Sequence, residues 1–440
     1  MELDTIDFRS PLLDGDLFKK QIERIQMAAD DAQDIIDYTT AHNEEVLRSI
    51  DIVEKFLRKK HRLCYGGQAI NAHMPKGHKI YNPETSIPDY DFFTPDQDDD
   101  IRTLSHDLRK AGFIEISARE GMHEGTIKIY VNYIPVADIT ILDAKLYQLL
   151  AEREFRQDGI SYLDSNTLRM FMYLELSRPR GEVTRWRKVY ERLLTMNKYV
   201  AINNTCKTTI KEKQLLKGEV NTIMQYCVRE KRIFAGADLL GYYRSAFTGK
   251  KRARWLINTR KPIYIYTYDL ELDTKYIREQ LPLTKVHHIK AMGGDLIPDM
   301  SIISRNSYPV VVLISQSACH SYYSVPLKFD NTLRIATLDT LIALYFSLSL
   351  LKYKHMDLGA LECLAQELVE VSYRSRSEPD KFPFPFISLE CSGHQKRLAS
   401  LIREKVQRIT TEKKGRLRRL IKERSNSQKT FRNRKWWGDE

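Results

Sequence analysis

Apolar side chains recur at helical spacing through the first sixty residues: Phe18, Ile22 and Ile25, then Ile35 and Ile36, then Val46, Ile50, Val53 and Leu57. The period predicts two or three helices. The last ends in Arg58, Lys59 and Lys60, cations that suit the negative end of a helix dipole. The pattern then changes. A short turn, Cys64-Tyr65-Gly66-Gly67, leads into a polar loop from Pro75 to Pro88. Ile87 to Thr94 reads as a strand, Ile101 to Ala111 as a helix, and Thr126 to Asn132 and Val136 to Leu142 as two strands with alternating β-branched residues. This α-β-α-β-β order predicts an α/β (α+β) domain.

Residues 144–232 read as helical. Strands return at Pro262 to Asp269 and Pro309 to Ser315, and Leu338 to Lys352 reads as an apolar core helix. After the breaker Pro383-Phe384-Pro385 a last helix is expected from Gln395 to Ile409. A weak repeat joins the halves. Phe234-Ala235-Gly236-Ala237 echoes Tyr65-Gly66-Gly67, Pro262 to Asp269 echoes the first acidic strand, and Pro298 to Ile302 echoes Val136 to Ile141. The second copy lacks the acid pair and keeps only Asp299 and Asp269, so a degenerate second domain is expected, with a structural or RNA-holding role.

Composition narrows the class. With 440 residues, 42% apolar and 29% charged, the chain suits several globular domains rather than a disordered, collagen-like or wholly coiled-coil protein. Its six cysteines form no C-x-x-C pair, and they read as buried or free thiols in a reducing compartment. The first residues are acidic and polar, unlike a signal peptide, and the most apolar stretch, Leu341 to Leu351, is too short to span a bilayer. A soluble intracellular protein is expected.

The net charge of +12 is concentrated. Arg403 to Lys435 holds 14 Lys and Arg against 3 Glu, a local +11 that leaves about +1 for the rest. Such an arm suits a polyanion. Each cation placed on a phosphate releases counterions, and Trp436 and Trp437 offer stacking on unpaired bases. A solvated tail or localisation signal is the plainer alternative. Arg185, Lys188 and Arg192 also share one helix face, which suits a triphosphate, an RNA backbone or water alike.

The chemistry is carried by Gly66-Gly67, Asp89-Tyr90-Asp91 and Asp138. On a strand, residues 89 and 91 point to one face, where two carboxylates repel unless a cation neutralises them. A hard cation such as Mg²⁺ or Mn²⁺ fits oxygen ligands of this kind. Asp138, inside the apolar run Val136 to Ile141, adds a third carboxylate if its strand pairs nearby. Three carboxylates can hold two such ions for phosphoryl chemistry, and paired glycines let backbone N–H groups approach a phosphate. Asp96 to Asp100 is a competing acidic run and reads as a solvated loop. His287, His288 and His320 lack the partners of a metal site, and Gly293-Gly294 reads as a turn.

The segments CYGGQAIN, PDYDFF and VADIT, with LSRPRGEVTRWRKVYERLL from Leu176 to Leu194, resemble the poly(A) polymerase catalytic subunits of large DNA viruses, of the mimivirus and poxvirus kind. These are members of the DNA polymerase β-like nucleotidyltransferase superfamily. The resemblance implies that Asp89, Asp91 and Asp138 bind two Mg²⁺ or Mn²⁺ ions and act as the catalytic residues, with Asp138 closest to the attacking hydroxyl. It implies that Gly66 and Gly67, with Arg185 and Lys188, hold ATP. The RNA 3′ end would then receive AMP without a template.

The basic residues Arg416, Arg418, Arg419, Lys422, Arg424, Arg432, Arg434 and Lys435 would bind RNA. The implied setting is viral mRNA polyadenylation in the host cytoplasm, viral factory or virion, by a homodimer. The expected division is a helical segment 1–60, a catalytic domain 61–230, a degenerate nucleotidyltransferase-like domain 231–402 and a basic arm 403–440. The residues leave open a CCA-adding or uridylyl transferase, a D-x-D glycosyltransferase, and a non-catalytic RNA-binding subunit.

Overall fold

The structure is a computed structural model that describes residues 15–82, 84–121, 123–202, 215–247, 262–294, 296–327, 331–351, 353, 358–395, 400–411, 413–415, 418 and 419. The chain divides into two compact units, residues 1–121 with 125–164 and residues 122–124 with 165–440.

The first unit opens with α1 (Gly15–Ala41) and α2 (Glu44–Lys60). Asn43 caps α2, its side chain accepting from the N–H groups of Glu45 and Val46, and His61 ends it in the left-handed conformation. There follow β1 (Leu63–Tyr65), α3 (Gly66–His73), β2 (Tyr90–Thr94), α4 (Gln97–Lys110), β3 (Ile116–Glu120), β4 (Thr126–Val131) and β5 (Ile134–Ile141). The unit closes with α5 (Ala144–Ala151), β6 (Phe155–Gln157) and β7 (Ile160–Tyr162). The sheet runs β3-β4-β5-β2-β1-β7-β6, parallel where β5 meets β2 and where β1 meets β7.

One face of this sheet is apolar. Phe92, Ile129 and Ile139 are fully buried there, as are Val53, Phe56 and Leu57 of α2 and Leu104 and Leu108 of α4. Alternation along β2, β4 and β5 puts their polar residues on the other face. Fold and core therefore fix which side the acids occupy.

Two sequence expectations fail in this unit. Residues 144–232 are not helical throughout, because β6 and β7 form a hairpin. Asp158 and Gly159 make its turn with positive φ, and three-residue strands are too short to show a period. Asp96 to Asp100 is not a solvated loop. Asp96 caps α4 by accepting from the Asp99 N–H, and buried Asp100 accepts from Arg62 at 2.7 and 2.9 Å. Acids in a first helical turn face the positive dipole end, a signal that apolar alternation does not carry.

The second unit begins with α6 (Ser165–Leu176), α7 (Trp186–Tyr199) and α8 (Lys217–Arg229). Then come β8 (Ile233–Phe234), α9 (Leu239–Ala246), β9 (Ile263–Thr267), α10 (Leu270–Gln280), β10 (Lys285–Ile289), β11 (Met300–Arg305) and β12 (Tyr308–Ser315). It ends with β13 (His320–Pro326), β14 (Thr332–Ala336), α11 (Leu338–Ser349), α12 (Leu358–Ser377) and β15 (Cys391–Ser392), and residues 400–411 are helical. Every residue of α11 is buried, as its apolar run predicts.

The sheet order is β10-β11-β12-β9-β8-β14-β13-β15. Its first seven strands repeat the first sheet strand for strand, with the parallel pairs β12–β9 and β8–β14 in the same places. The degenerate second domain expected from the weak repeat is present. One detail differs. Pro298 to Ile302 leads into β11, the counterpart of β4, whereas the counterpart of β5 is β12. This strand lies inside the sheet and is apolar on both faces, so it offers no acid to recognise.

The cysteines also differ from expectation. Cys319 and Cys391 form a disulfide where β13 pairs with β15, closing a separation of 72 residues, and Cys363 is disulfide-bonded as well. Cys64 and Cys227 are buried free thiols. Spacing alone does not reveal partners that a sheet brings together from distant chain.

Candidate catalytic site

Asp91 on β2 stands opposite Asp138 on β5 in the parallel register, with Tyr90 facing Ala137 and Phe92 facing Ile139 on either side. Both carboxylates therefore rise from the polar face of the sheet. Asp89 lies just before β2, exposed, two residues from Asp91 and on the same side of an extended chain. The fields of all three acids meet at Tyr65. Burial, then Asp91, Asp138 and Asp89, raise its hydroxyl pKa, against a lowering hydrogen bond with Thr140. The Tyr65 hydroxyl lies 2.9 Å from Thr140 Oγ1, which lies 2.8 Å from Thr126 Oγ1.

Lys128 completes the group, and sequence reasoning missed it. It faces Asp138 from β4 and places its Nζ 2.5 Å from Oδ2. Burial works against its charge, but the bond to Asp138 and the fields of Asp138, Asp89 and Asp91 outweigh it and raise its pKa. A lysine two residues after Thr126 in the strand TIKIYV was the available signal, since alternation puts it on the acid face.

Gly66 begins α3 with φ +71°. A Cβ there would run into the Asp91 carboxylate. Only glycine accepts both the left-handed backbone and the close approach. The Gly-Gly turn thus opens a helix, whose first N–H groups have no partner within the helix itself.

Among the described residues, no three His, Cys, Asp or Glu side chains already stand as a metal-holding group. The donor set nonetheless fits a divalent cation. Asp138 Oδ1 is buried without a hydrogen-bond partner, and the acids are oxygen ligands with a cationic side chain as present counter-charge.

The other expected residues lie elsewhere in the chain. Arg185 ends a short 3₁₀ turn just before α7, and its guanidinium reaches Glu182 at 3.3 Å and Glu175 at 3.5 Å. Lys188 is exposed on α7, where Val189 and Leu193 are buried and Trp186 is half-buried. Arg418 and Arg419 are helical and exposed. Arg416, Lys422, Arg424, Arg432, Arg434, Lys435, Trp436 and Trp437 lie outside the described residues.

Comparison with known proteins bears on this site. The profile of the family described as the poly(A) polymerase catalytic subunit matches residues 51–182, a span that contains Gly66, Gly67, Asp89, Asp91, Lys128 and Asp138. The resemblance to viral poly(A) polymerase catalytic subunits is thereby shown.

A protein of African swine fever virus (isolate Pig/Kenya/KEN-50/1950), described as such a subunit, is 27% identical over 168 residues, 37% of this chain and 35% of that protein. One from Acanthamoeba polyphaga mimivirus is 25% identical over 174 residues, 38% of this chain and 28% of that protein. The match thus spans about a third of the length of these curated relatives. The crystal structure of the Megavirus polyadenylate synthase superposes with a TM-score of 0.72 over 94% of this chain and 87% of that one, at 16% identity. That likeness shows a common fold, and its two mixed sheets are of the α/β (α+β) class expected from the sequence. Among the described residues, no helix is long and apolar enough to cross a membrane.

Proposed function

We propose that this chain is a polynucleotide adenylyltransferase that adds AMP from ATP to RNA 3′ ends without a template. The observation that carries the reading is Asp91 facing Asp138 across two parallel strands, beside a glycine that only glycine can be. The RNA 3′ oxygen attacks the α-phosphorus of ATP, the bond to the β-phosphate bridging oxygen breaks, and pyrophosphate leaves. Asp89, Asp91 and Asp138 hold Mg²⁺ or Mn²⁺. Two such ions supply charge for the triphosphate and lower the pKa of the attacking hydroxyl.

The chain's own groups do the rest. The backbone N–H groups of Gly66 and Gly67 receive phosphate oxygens. Lys128 balances the charge of Asp138, the acid nearest the attacking hydroxyl. Tyr65, stacked on Phe93 with ring centroids 4.1 Å apart, forms a floor of the site. Arg185 and Lys188 add positive charge for ATP, and the basic arm 403–440, with Arg418, Arg419 and the cations around them, holds RNA by counterion release. We assign 61–230 to the catalytic domain, 231–402 to its degenerate copy and 1–60 to a helical segment. The setting is polyadenylation of viral mRNA in the host cytoplasm, and the assembly is a homodimer.

The second sheet has no such chemistry. Pairing registers put Tyr264 where Asp91 stands and Val312 where Asp138 stands. The Tyr345 hydroxyl of α11 donates to the Ala235 carbonyl at 2.7 Å, next to the counterpart of Gly66. Aromatic packing has replaced the acids, which leaves a structural or RNA-holding role. The test is incubation of the full chain with labelled RNA and each of the four nucleotides, with and without Mg²⁺ or Mn²⁺. Extension with ATP alone and only with metal is expected. Extension with another nucleotide, or none, overturns the reading.

A further inference from the structure

One face of the first sheet carries two rows of side chains, set by the pairing register. Tyr65, Asp91, Asp138 and Lys128 stand side by side on β1, β2, β5 and β4. The neighbouring row on that face is Leu63, Phe93, Thr140 and Thr126. Tyr65 does not stay in its own row. Its ring lies on Phe93, 4.1 Å between centroids and 14° from parallel, and its hydroxyl comes within 2.9 Å of Thr140 Oγ1. Thr140 Oγ1 is in turn 2.8 Å from Thr126 Oγ1. The tyrosine thus crosses β2 on the diagonal, and a chain of hydroxyls joins β1, β5 and β4.

A buried tyrosine hydroxyl finds a partner almost anywhere, so the bond alone says little. Its two ends say more. Tyr65 is the residue that leads from β1 into α3, and its neighbour Gly66 lies against the Asp91 carboxylate. A helix ordinarily takes Ser, Thr, Asp or Asn there, whose side chain satisfies one of the first N–H groups. Tyr65 makes no such bond. Its side chain is committed to the sheet instead, and α3 forgoes a cap at its glycine end. At the far end, Thr140 is two residues past Asp138, and Thr126 two residues before Lys128. The turn needs such a tie. β1 is three residues long and pairs with β7 at two positions. Gly66 and Gly67 have no side chains of their own to hold them.

We propose that Tyr65 is a positioning residue for nucleotidyl transfer: its hydroxyl, held by Thr140 and Thr126, fixes the Gly66-Gly67 turn relative to the strands of Asp138 and Lys128. This rests on the adenylyltransferase reading and deepens it. The turn receives phosphate oxygens and Asp138 serves the attacking hydroxyl, so the tie sets one reacting group against the other. Small misplacements of reacting groups lower the rate before they lower affinity.

The test pairs two measurements on the full chain. Tyr65→Phe keeps the ring on Phe93 and removes the hydroxyl. Thr140→Val keeps a β-branched residue in the strand and removes the partner. Each is expected to lower kcat about tenfold, the effect of one hydrogen bond, with KM for ATP within about twofold of wild type. The double variant is expected to be no worse than either single one, since both cut the same tie. Thr140→Ser, which keeps the hydroxyl, is expected to recover most of the loss seen in Thr140→Val. Hydrogen exchange is read by mass spectrometry without nucleotide, metal or RNA. The amides of residues 63–74 are expected to exchange about tenfold faster in Tyr65→Phe and in Thr140→Val, with those of α4 unchanged. Melting temperatures check that the fold persists.

Wild-type kcat in Tyr65→Phe, multiplied losses in the double variant, or unchanged exchange over residues 63–74 overturns the proposal. A wild type that adds no nucleotide overturns the polymerase reading and this proposal with it. An active wild type with unaltered exchange in both variants overturns the tie alone, because exchange is read without turnover.

Discussion

Arg232 holds in the second sheet the position that Arg62 holds in the first. Each immediately precedes the first strand of its sheet. Each pairs through two nitrogens with an aspartate four residues after a helix-capping aspartate, Asp100 after Asp96 and Asp273 after Asp269. The capping loop is shared too, for Thr94 and Thr267 each accept from the N–H two residues on. The framework is the same in both copies, whereas two aspartates, Asp91 and Asp138, face each other across the central parallel strands of the first sheet and Tyr264 and Val312 do so in the second. Arg232 is 1% exposed, so its loss would leave Asp273 charged and buried. Arg232→Met should cost about 3–5 kcal/mol in urea denaturation, and adding Asp273→Leu should recover more than half of that. Equal losses in the single and double variants would show that the pair is not the unit of stability.

Gly66 and Gly77 both have positive φ, but only Gly66 has Asp91 against it. Gly66→Ala and Gly77→Ala should therefore each lose about 1–2 kcal/mol to backbone strain. Only Gly66→Ala should lose nucleotide addition, by about 100-fold or more, because the added methyl displaces the Asp91 carboxylate. Matched activity losses in the two variants would mean that contact with Asp91 is irrelevant.

Removing Lys128 leaves Asp138 buried with neither of its oxygens partnered. Lys128→Met should lower stability by about 1–3 kcal/mol without metal. Mn²⁺ should raise its melting temperature more than that of wild type, since the ion then replaces the ammonium. A variant that melts like wild type, or ignores Mn²⁺, would remove Lys128 from the site.

His320 is buried beside the Tyr266 ring at 4.7 Å between centroids, and neither ring nitrogen has a partner. Burial, then the nearby Arg178 charge, lower its pKa from 6.5 to about 3. Between those values the unfolded chain takes the proton and the folded chain does not. The associated stability is complete above about pH 6.5 and is lost as pH falls towards 3, by at most about 1.4 kcal/mol per pH unit. His320→Phe should flatten that part of the stability profile. Parallel profiles for variant and wild type would refute the assignment.

The Cys319–Cys391 disulfide closes a 72-residue separation. Its removal in Cys319→Ser with Cys391→Ser should destabilise the second unit by about 4 kcal/mol on the chain-entropy account. Calorimetry of the full chain and of that double variant, both without reductant, measures this, and an unchanged second-unit transition would argue that the bond contributes no stability.

Much of this arrangement is legible in the sequence because its signals are local. Asp89-Tyr90-Asp91 and the alternation around Asp138 announce one polar face. Gly66-Gly67 announces a backbone that side chains cannot adopt, and the apolar run 338–349 announces a buried helix. What was missed depends on partners far away in the chain. Lys128 matters only through its register with Asp138, and Asp100 only through Arg62. Val312 is the counterpart of Asp138 only because β12 pairs with β9. The cysteine pair likewise becomes visible only when β15 joins β13.

The central claim is that Asp91 and Asp138 together form the site of nucleotidyl transfer. It is tested most directly by extension of labelled RNA with ATP and Mg²⁺, comparing wild type with Asp91→Ala and Asp138→Ala after matching their melting temperatures and RNA affinities. The account predicts that both variants bind RNA as wild type does and add no measurable AMP. Undiminished addition by either variant would contradict it.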